Sequence, residues 1–176
     1  MPLSPALCPL PRLRRALRPV LATLLLGLSV LLSALPPNDA KAEDAPLLRL
    51  TLGDEVITYD LATLQEMPTT GFETTTIWTE GVQAFRGIRM TDFLARHGIE
   101  GGVLQLIAAN DYAIEIPVDS FRPDGAILAY ERNGTPMTLR SKGPLWLVYP
   151  YDSSSDFRSE VIYSNSIWQL DRIIVK

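Results

Sequence analysis

The residues best suited to bind an anion form one short basic segment, Arg140-Ser141-Lys142-Gly143. Two cations beside a glycine, where backbone amides are accessible, can hold a phosphate or a carboxylate. The segment lies in a chain whose 20 acidic residues outnumber its 16 basic ones, so it could equally balance carboxylates on the same surface. Arg140, Lys142 and Gly143 are therefore candidate ligand-binding residues, with a charge-balancing loop as the alternative.

Residues that could support catalysis or bind a metal are few. His97 is the only histidine, and a Ser-His or Cys-His nucleophile would require it as the base. Its position beside Gly98, at the predicted end of a helix, is equally explained by the interaction of a cation with the helix dipole. Asp152 and Asp156 flank three serines and could hold calcium, but the segment lacks the glycine and the distal glutamate of a calcium loop. We therefore predict no catalytic and no metal-ligating residue.

The sequence contains a single cysteine, Cys8, which lies ahead of a leucine-rich run near the amino terminus. A lipid-anchored protein would need its cysteine after such a run, so we expect no lipid anchor. If the amino-terminal segment is removed, the remaining chain has no thiol. It could then form no disulfide, no cysteine-based zinc or iron–sulfur site and no metal–thiolate bond.

The first 42 residues have the pattern of an export signal. Four arginines, at positions 12, 14, 15 and 18, precede an uncharged run over residues 20–35, and Ala40-Lys41-Ala42 then offers a cleavage pattern of small residues. The run is shorter than the roughly 20 residues that cross a bilayer, although an uncleaved membrane anchor is the alternative. Arg14-Arg15 also fits a loose twin-arginine signal, the type that exports proteins already folded around a cofactor.

Residues 43–176 would then form one periplasmic or otherwise extracytoplasmic domain with no membrane span. They contain eleven Lys and Arg against nineteen Asp and Glu, a formal charge of −8. Such a surface disfavours nucleic acid and anionic membranes as partners. The remaining partners are a small ligand or an exported or membrane protein.

Strand patterns outnumber helix patterns along this domain. Alternating or β-branched segments predict strands over residues 48–52, 56–59, 74–78, 82–85, 103–109, 112–116, 126–131, 135–139, 145–149 and 167–175. Gly53-Asp54 and Asn133-Gly134 predict hairpin turns. These signals predict an α+β fold with a mixed, mostly antiparallel sheet and short helices.

Two short helices are predicted between the strands. Asp60 is expected to cap a helix over residues 61–66, and Thr91 or Asp92 a second one that ends at Gly98. The apolar strand patterns around the three tryptophans predict that all of them are core residues, namely Trp78, Trp146 and Trp168.

Several short motifs follow one another between Phe85 and Ile173. They are Gly87-Ile88-Arg89-Met90-Thr91-Asp92-Phe93-Leu94, Asn110-Asp111-Tyr112, Asn133-Gly134-Thr135-Pro136-Met137, Gly143-Pro144-Leu145 leading to Val148-Tyr149-Pro150, and Ile167-Trp168-Gln169-Leu170-Asp171-Arg172-Ile173. Each motif alone is weak, but the ordered set resembles the molybdopterin-binding domain of the sulfite oxidase family. The resemblance is closest to small, stand-alone, exported members.

The resemblance implies an α+β domain with a mixed, partly barrel-like sheet and a ligand-binding cleft. The cleft would be lined by Thr74, Thr75, Thr76, Trp78, Asn110, Asp111, Tyr112, Arg140, Lys142 and Gly143.

The resemblance does not carry the family's metal chemistry to this chain. In the enzymes a cysteine before the Gly87-type motif binds molybdenum through its thiolate, whereas residues 72–78 here contain no cysteine. A threonine hydroxyl is a poor replacement, because its pKa is far higher than that of a thiol and it is not a soft ligand. Where the enzymes often have Gly-x-Pro-Leu-Arg, this chain reads Gly143-Pro144-Leu145-Trp146, without the arginine. Molybdopterin therefore stays possible as a cofactor by resemblance, but not with thiolate ligation.

These features favour a non-catalytic exported domain that binds a small ligand or a partner protein. One alternative is a molybdopterin-dependent oxidoreductase with oxygen ligation of the metal, which a twin-arginine signal would favour. The other is an accessory to a membrane signalling system, which a neighbouring sensor-kinase gene would favour.

Overall fold

The computed structural model describes residues 46–176, so the predicted signal sequence over residues 1–42 lies outside the described residues. The strands are β1 (Leu48–Leu52), β2 (Glu55–Tyr59), β3 (Thr69–Thr75), β4 (Val82–Arg89), β5 (Val103–Ala108), β6 (Ala113–Pro117), β7 (Ile127–Arg132), β8 (Thr135–Pro136), β9 (Leu145–Val148) and β10 (Trp168–Val175). The α-helices are α1 (Leu61–Gln65), α2 (Met90–Arg96) and α3 (Glu160–Asn165). Single 3-10 turns lie at Val118–Ser120, Leu139–Ser141 and Ser155–Phe157.

All ten strands belong to one mixed sheet. Its main order is β2-β1-β10-β9-β7-β4-β3, with β5 and β6 branching from β10 and β8 pairing with β7. β1 and β10 are parallel, and the other pairs are antiparallel. The predicted mixed, mostly antiparallel sheet with short helices is therefore confirmed. Between residues 46 and 176 no helix has both the length and the apolar character that a membrane span requires.

Local signals explain how the domain opens. Gly53 has a φ of +58° in the turn between β1 and β2, so the predicted hairpin is confirmed. The Asp60 carboxylate accepts a hydrogen bond from the Thr63 amide at 2.7 Å and caps α1 as predicted. Pro68 follows shortly after α1 and cannot continue it.

The start of α2 differs from the prediction. Neither Thr91 nor Asp92 is the N-cap, because both lie inside the first turn and the cap position is Arg89, with no side-chain cap bond. The physical reason is that β4 runs directly into α2, and the Met90 amide is satisfied by the Ala126 carbonyl at 3.1 Å. The predicted end of the helix is confirmed, since Gly98 has a φ of +63°.

The core lies between the sheet and the segments that cover it. The bulkiest fully buried side chains are those of Trp146, Tyr130, Tyr151 and Phe93. All four residues of β9 are buried, because β9 is a central strand covered on both faces. Trp146 is therefore a core residue as predicted, whereas Trp78 and Trp168 are only half-buried and that part of the prediction is wrong.

Gly87 marks a close approach of two strands. A Cβ atom at this position would collide with the Leu128 carbonyl oxygen and the Ala129 Cα atom of β7, at a β-bulge between Arg86 and Gly87. Only glycine fits this contact, since the clash involves backbone atoms that cannot rotate away.

We predict that Gly87→Ala lowers the free energy of unfolding by about 2 kcal/mol or more, because the strands must separate to accept the methyl group. Urea denaturation followed by circular dichroism measures the change. Gly101→Ala is the matched control, because nothing lies within 4 Å of a Cβ built there. Equal stability of the two variants would contradict the close-approach explanation.

Candidate functional site

An aromatic pocket opens beside the amino-terminal end of β10. Its volume is about 400 Å³, and four aromatic side chains form most of its wall: Trp78, Tyr112, Tyr163 and Trp168. The polar groups of the wall come from Asn110, Ser164 and Ser166, and the remaining lining residues are Ala108 and Ile167. The pocket is thus apolar with a few neutral polar groups, as is typical of small-ligand sites.

Trp78 reaches the pocket because β3 ends earlier than predicted. The predicted strand over residues 74–78 is wrong, since β3 stops at Thr75 and a turn follows. Thr76 causes the turn: its hydroxyl oxygen accepts a hydrogen bond from the Trp78 amide at 3.1 Å and lies 2.8 Å from the Thr79 hydroxyl. A side chain that bonds the local backbone competes with the strand ladder.

The indole of Trp78 then packs edge-on against four other aromatic rings, one of which is that of Tyr151 at 6.1 Å. Its ring centroid lies 5.5 Å from that of Trp168, 5.9 Å from that of Tyr163 and 6.0 Å from that of Trp146. Each such pair contributes about 0.5–1.5 kcal/mol beyond its buried area. The pocket wall is therefore continuous with the core through Trp146.

Trp168 is oriented by a β-bulge at Gln169. The pairing of β10 with β9 shifts between Trp168 and Leu170, and Gln169 has a φ of +55°. The Gln169 carbonyl accepts from the Ala109 amide at 2.8 Å, its amide donates to the Lys142 carbonyl at 3.1 Å, and its side-chain amide donates to the Leu139 carbonyl at 2.8 Å. One residue therefore holds the loops on both sides of Trp168.

Lys142 lies against the outer part of the same wall. Its Nζ is 4.2 Å from the ring centroid of Trp168 and 5.7 Å from that of Trp146. This cation–π contact contributes about 0.5–2 kcal/mol. Within residues 46–176 neither Lys142 nor its exposed neighbour Arg140 takes part in an ion pair.

The backbone of the basic segment is already committed to the fold. The amides of Ser141 and Gly143 both donate to the Thr138 carbonyl, at 2.9 and 2.7 Å. Gly143 is required by packing, because a Cβ there would collide with the backbone of Met137. The amides of Ser141 and Gly143 are therefore occupied by the fold, and the groups of the segment without an ion pair in residues 46–176 are the side chains of Arg140 and Lys142.

Residues 52–154 match the sequence profile of the family described as "Oxidoreductase molybdopterin binding domain". The chain belongs to this family. Over 76 residues it is 31% identical to the "Uncharacterized oxidoreductase YuiH" of Bacillus subtilis, which is 42% of this chain and 38% of that protein. The crystal structure of the sulfane dehydrogenase SoxCD from Paracoccus pantotrophus superposes with a TM-score of 0.53 at 16% identity, over 76% of this chain and 38% of that one. The latter likeness supports the fold alone.

The part of the chain that matches the family holds only part of the pocket. Trp78, Asn110, Tyr112 and Lys142 lie inside residues 52–154, whereas Tyr163 and Trp168 lie beyond them. The chain also spans only 38% of the length of each of the two relatives.

The donor atoms around the pocket do not fit a molybdenum ion held by the protein. The wall offers indole and phenol groups, one carboxamide and serine hydroxyls, and the only cysteine of the sequence is Cys8. Among residues 46–176 no three His, Cys, Asp or Glu side chains are grouped so that they could bind a metal. Neutral oxygens cannot supply the soft, anionic ligand that a thiolate provides.

Of the ten residues predicted to line the ligand-binding cleft, the structure places three in the pocket wall and one against it. Trp78, Asn110 and Tyr112 line the pocket, and Lys142 covers Trp168. The other predicted residues are not among the lining residues: Thr74, Thr75, Thr76, Asp111, Arg140 and Gly143.

Thr74 and Thr75 fasten the end of β3 to the segment that follows Pro150. The Thr75 hydroxyl donates to the Asp152 carboxylate at 2.9 Å, and the Thr74 hydroxyl accepts from the Asp152 amide at 3.1 Å. The donors of Thr75 hold the pKa of the Asp152 carboxyl below its ordinary value. Asp156 contacts Arg122 instead, at 3.4 Å, so the two carboxylates considered for calcium have separate partners.

Asn110 and Asp111 shape the other side of the pocket. The Asn110 side-chain oxygen accepts from the Tyr112 amide at 3.2 Å, which turns Tyr112 toward the opening. Asp111, with a φ of +64°, accepts from the Arg172 guanidinium at 2.7 Å. Asp111 therefore joins the β5–β6 turn to Arg172 of β10.

Sequence reasoning missed the wall that α3 and its flanks provide. Ser159 caps α3 by accepting from the Ile162 amide at 3.3 Å, and this serine before an acidic residue was the available signal. Ser166 is buried, accepts from the Tyr151 hydroxyl at 2.7 Å and donates to the Ile162 carbonyl at 2.7 Å. Burial raises the pKa of Tyr151 to about 12, so its hydroxyl stays a donor.

His97 is not one of the pocket-lining residues. Its Nε2 lies 2.7 Å from the Tyr59 hydroxyl, and its ring packs against Phe93. Burial and the neighbouring Arg96 lower the pKa of His97, which favours the neutral ring. The histidine therefore belongs to a Tyr59–His97 contact at the end of α2.

We predict that Gln169→Ala lowers the free energy of unfolding by about 1 kcal/mol more than Gln169→Gly does. The reason is that alanine, unlike glycine, has a Cβ atom that makes the left-handed conformation at position 169 unfavourable. Both variants lose the side-chain hydrogen bond to Leu139, so the difference between them isolates the backbone term. Urea denaturation followed by tryptophan fluorescence measures it. Equal stabilities would show that the left-handed Gln169 does not constrain the fold.

Proposed function

We propose that this chain is a non-catalytic, extracytoplasmic binding domain of the molybdopterin-binding-domain family. Its ligand occupies the aromatic pocket of Trp78, Tyr112, Tyr163 and Trp168. The observation that carries the proposal is the combination, in one site, of an aromatic wall with neutral polar groups only. Such a wall binds by surface complementarity and offers no acid, base or metal ligand for chemistry.

The size and composition of the pocket favour a flat, largely apolar ligand group. A volume of about 400 Å³ lies at the lower end of the range of about 300–1,000 Å³ for small-ligand sites. Trp78 and Trp168 are in contact at an interplanar angle of 64°, so a ligand ring that stacks on one of them in the pocket would present its edge to the other. Asn110 and Ser164 supply hydrogen bonds that fix its orientation.

Backbone strain around the pocket supports a role beyond folding. Four residues other than glycine have a positive φ between residues 46 and 176, and three of them flank the pocket: Asp111, Lys142 and Gln169. Each such conformation costs about 1–3 kcal/mol and persists where the surrounding structure enforces it, often at functional sites. Here each strained residue adjoins a wall residue or contacts one.

The export part of the proposal rests on the amino-terminal sequence. Residues 1–42 have the basic, leucine-rich and small-residue order of a signal, and residues 43–176 would be the exported domain. In that compartment a domain without cysteine cannot form incorrect disulfides.

We expect indole-3-acetate to bind the aromatic pocket, because its ring suits the aromatic wall and its carboxylate can approach Lys142. Titration of the exported domain, followed by NMR of the three indole N–H groups, measures binding. Trp78→Leu and Trp168→Leu should each weaken binding at least tenfold. The control, Val56→Ala, removes an exposed apolar side chain that does not line the pocket. Undiminished binding by both tryptophan variants would contradict the proposed site.

We expect the protein, purified from the exported fraction of a host that makes molybdopterin, to contain neither molybdenum nor pterin. The reason is that the pocket offers no anionic ligand for the metal. Elemental mass spectrometry and pterin fluorescence measure the contents, with a host unable to make the cofactor as the control. Near-stoichiometric molybdenum would instead indicate an oxidoreductase with unusual ligation.

A further inference from the structure

Exposed apolar side chains are concentrated around the aromatic pocket. Among residues 46–176 six large hydrophobic side chains are exposed, and all but Val56 belong to segments that hold the pocket wall. We call these five the apolar rim; each is 55–67% exposed, and they are Ile77, Val82, Tyr112, Leu139 and Val161.

Three rim residues are connected to the pocket wall through chain adjacency, strand pairing or a hydrogen bond. Ile77 precedes Trp78, and Val82 pairs with Thr75 across the same hairpin. Leu139 offers its carbonyl to Gln169, the residue after Trp168.

Two further rim residues lie on the other side of the pocket. Tyr112 lines the pocket itself. Val161 lies three residues before Ser164 on α3, which places the two on one face of that helix. The five rim residues therefore belong to, or adjoin, the β3–β4 turn, the basic segment, the β5–β6 turn and α3, which supply or contact the pocket wall.

A rim of this kind indicates a ligand larger than the pocket. A small molecule held within about 400 Å³ would leave these apolar side chains exposed to water, whereas a larger partner would cover them. In a protein–protein interface, a central aromatic anchor fills a pocket, and weaker contacts around it exclude water. The rim residues could make such surrounding contacts with a polypeptide.

The segment beside Trp168 is basic, although the domain as a whole is acidic and the other rim segments carry Glu80, Asp111 and Glu160. Residues 46–176 carry seventeen Asp and Glu against eleven Lys and Arg, yet Arg140 and Lys142 stand side by side without an ion pair in this part of the chain. The nearby Arg172 differs, since it is paired with both Asp111 and Asp171. Two unpaired cations on an acidic domain attract a carboxylate-bearing partner to this end of the molecule.

We propose that the aromatic pocket and the apolar rim dock an acidic polypeptide segment of an exported partner. One aromatic side chain of that segment enters the pocket and packs against the exposed faces of Trp78 and Trp168, and its neighbouring Asp or Glu side chains contact Arg140 and Lys142. The Asn110 carboxamide nitrogen, which makes no hydrogen bond within residues 46–176, donates to the backbone of the segment. This inference rests on the proposed binding function of the pocket and specifies its ligand.

The test uses a displayed library of random twelve-residue peptides, selected on the exported domain. We expect selected peptides to contain a Trp, Tyr or Phe with an Asp or Glu within four residues, and to bind more weakly as salt is raised. Binding should fall at least tenfold for the double variant R140E/K142E. It should remain unchanged for the charge-matched control R49E/R132E, since neither control residue adjoins the pocket.

Two pocket variants decide whether the anchor enters the aromatic pocket. Trp168→Leu and Trp78→Leu should each abolish binding of the selected peptides, and circular dichroism establishes that at least one of them is folded. No selected peptide, peptides without acidic residues, or binding that survives both variants would overturn the inference.

The outcome also separates this inference from the proposed function. If indole-3-acetate binds the pocket but no peptide is selected, the domain is a small-ligand binder and the partner inference fails alone. If neither probe binds, both fail.

Discussion

The candidate site depends on one irregularity, the β-bulge at Gln169 in β10. β10 must pair with β9 through its first residues and with β5 and β1 through the rest, and these two ladders do not share one register. The extra residue absorbs the difference in a left-handed conformation, and its free backbone groups are satisfied by Ala109 on one side and Lys142 on the other. Both loops that border the pocket are thereby fixed relative to Trp168. The position of the pocket therefore follows from the change of register within β10.

The core sets the orientation of the walls that the bulge positions. Trp146 is fully buried, and its ring centroid lies 5.3 Å from that of Phe85, 6.0 Å from that of Trp78 and 6.1 Å from that of Trp168. Its indole nitrogen has no hydrogen-bond partner within the described part of the chain, which costs about 1–3 kcal/mol. The surrounding edge-on contacts offset that cost, since several aromatic pairs share the same ring. The core and the pocket wall therefore share one aromatic cluster, so a change in a wall residue also affects the core.

The sequence predicted those features whose signals are local. Gly53-Asp54, the Asp60 cap and the end of α2 at Gly98 each depend on residues within one turn, and each is confirmed. The mixed sheet followed from the number of strand patterns. The start of α2 did not follow, because the Met90 amide is satisfied by Ala126, which is distant in sequence.

The place of Trp168 in the pocket wall did not follow from the sequence for the same reason, whereas Trp78, Asn110 and Tyr112 were candidate site residues and do line the pocket. Trp78 and Trp168 lie in apolar strand patterns, which predict core positions. Their half-buried positions depend instead on the turn at Thr76 and on the bulge at Gln169. A left-handed glutamine has no sequence signature, since this conformation is associated with glycine, asparagine and aspartate.

Membership of the molybdopterin-binding-domain family accounts for the fold. It does not determine which chemical groups line the pocket. The residues that build the sheet act through backbone pairing and burial, which many side chains can satisfy, whereas chemistry requires particular groups at the turns. Here those turns present indole rings, a phenol, a carboxamide and two cations, which can attract and hold a ligand. Lys142 already covers part of the Trp168 ring, so only the rest of that ring is open to a ligand. A ligand that carries an electron-rich ring or a carboxylate could approach Lys142 at the same time. Lys142 thus makes the wall asymmetric: the part of Trp168 beneath it already has a cation, while the other aromatic faces of the wall have none within the described residues.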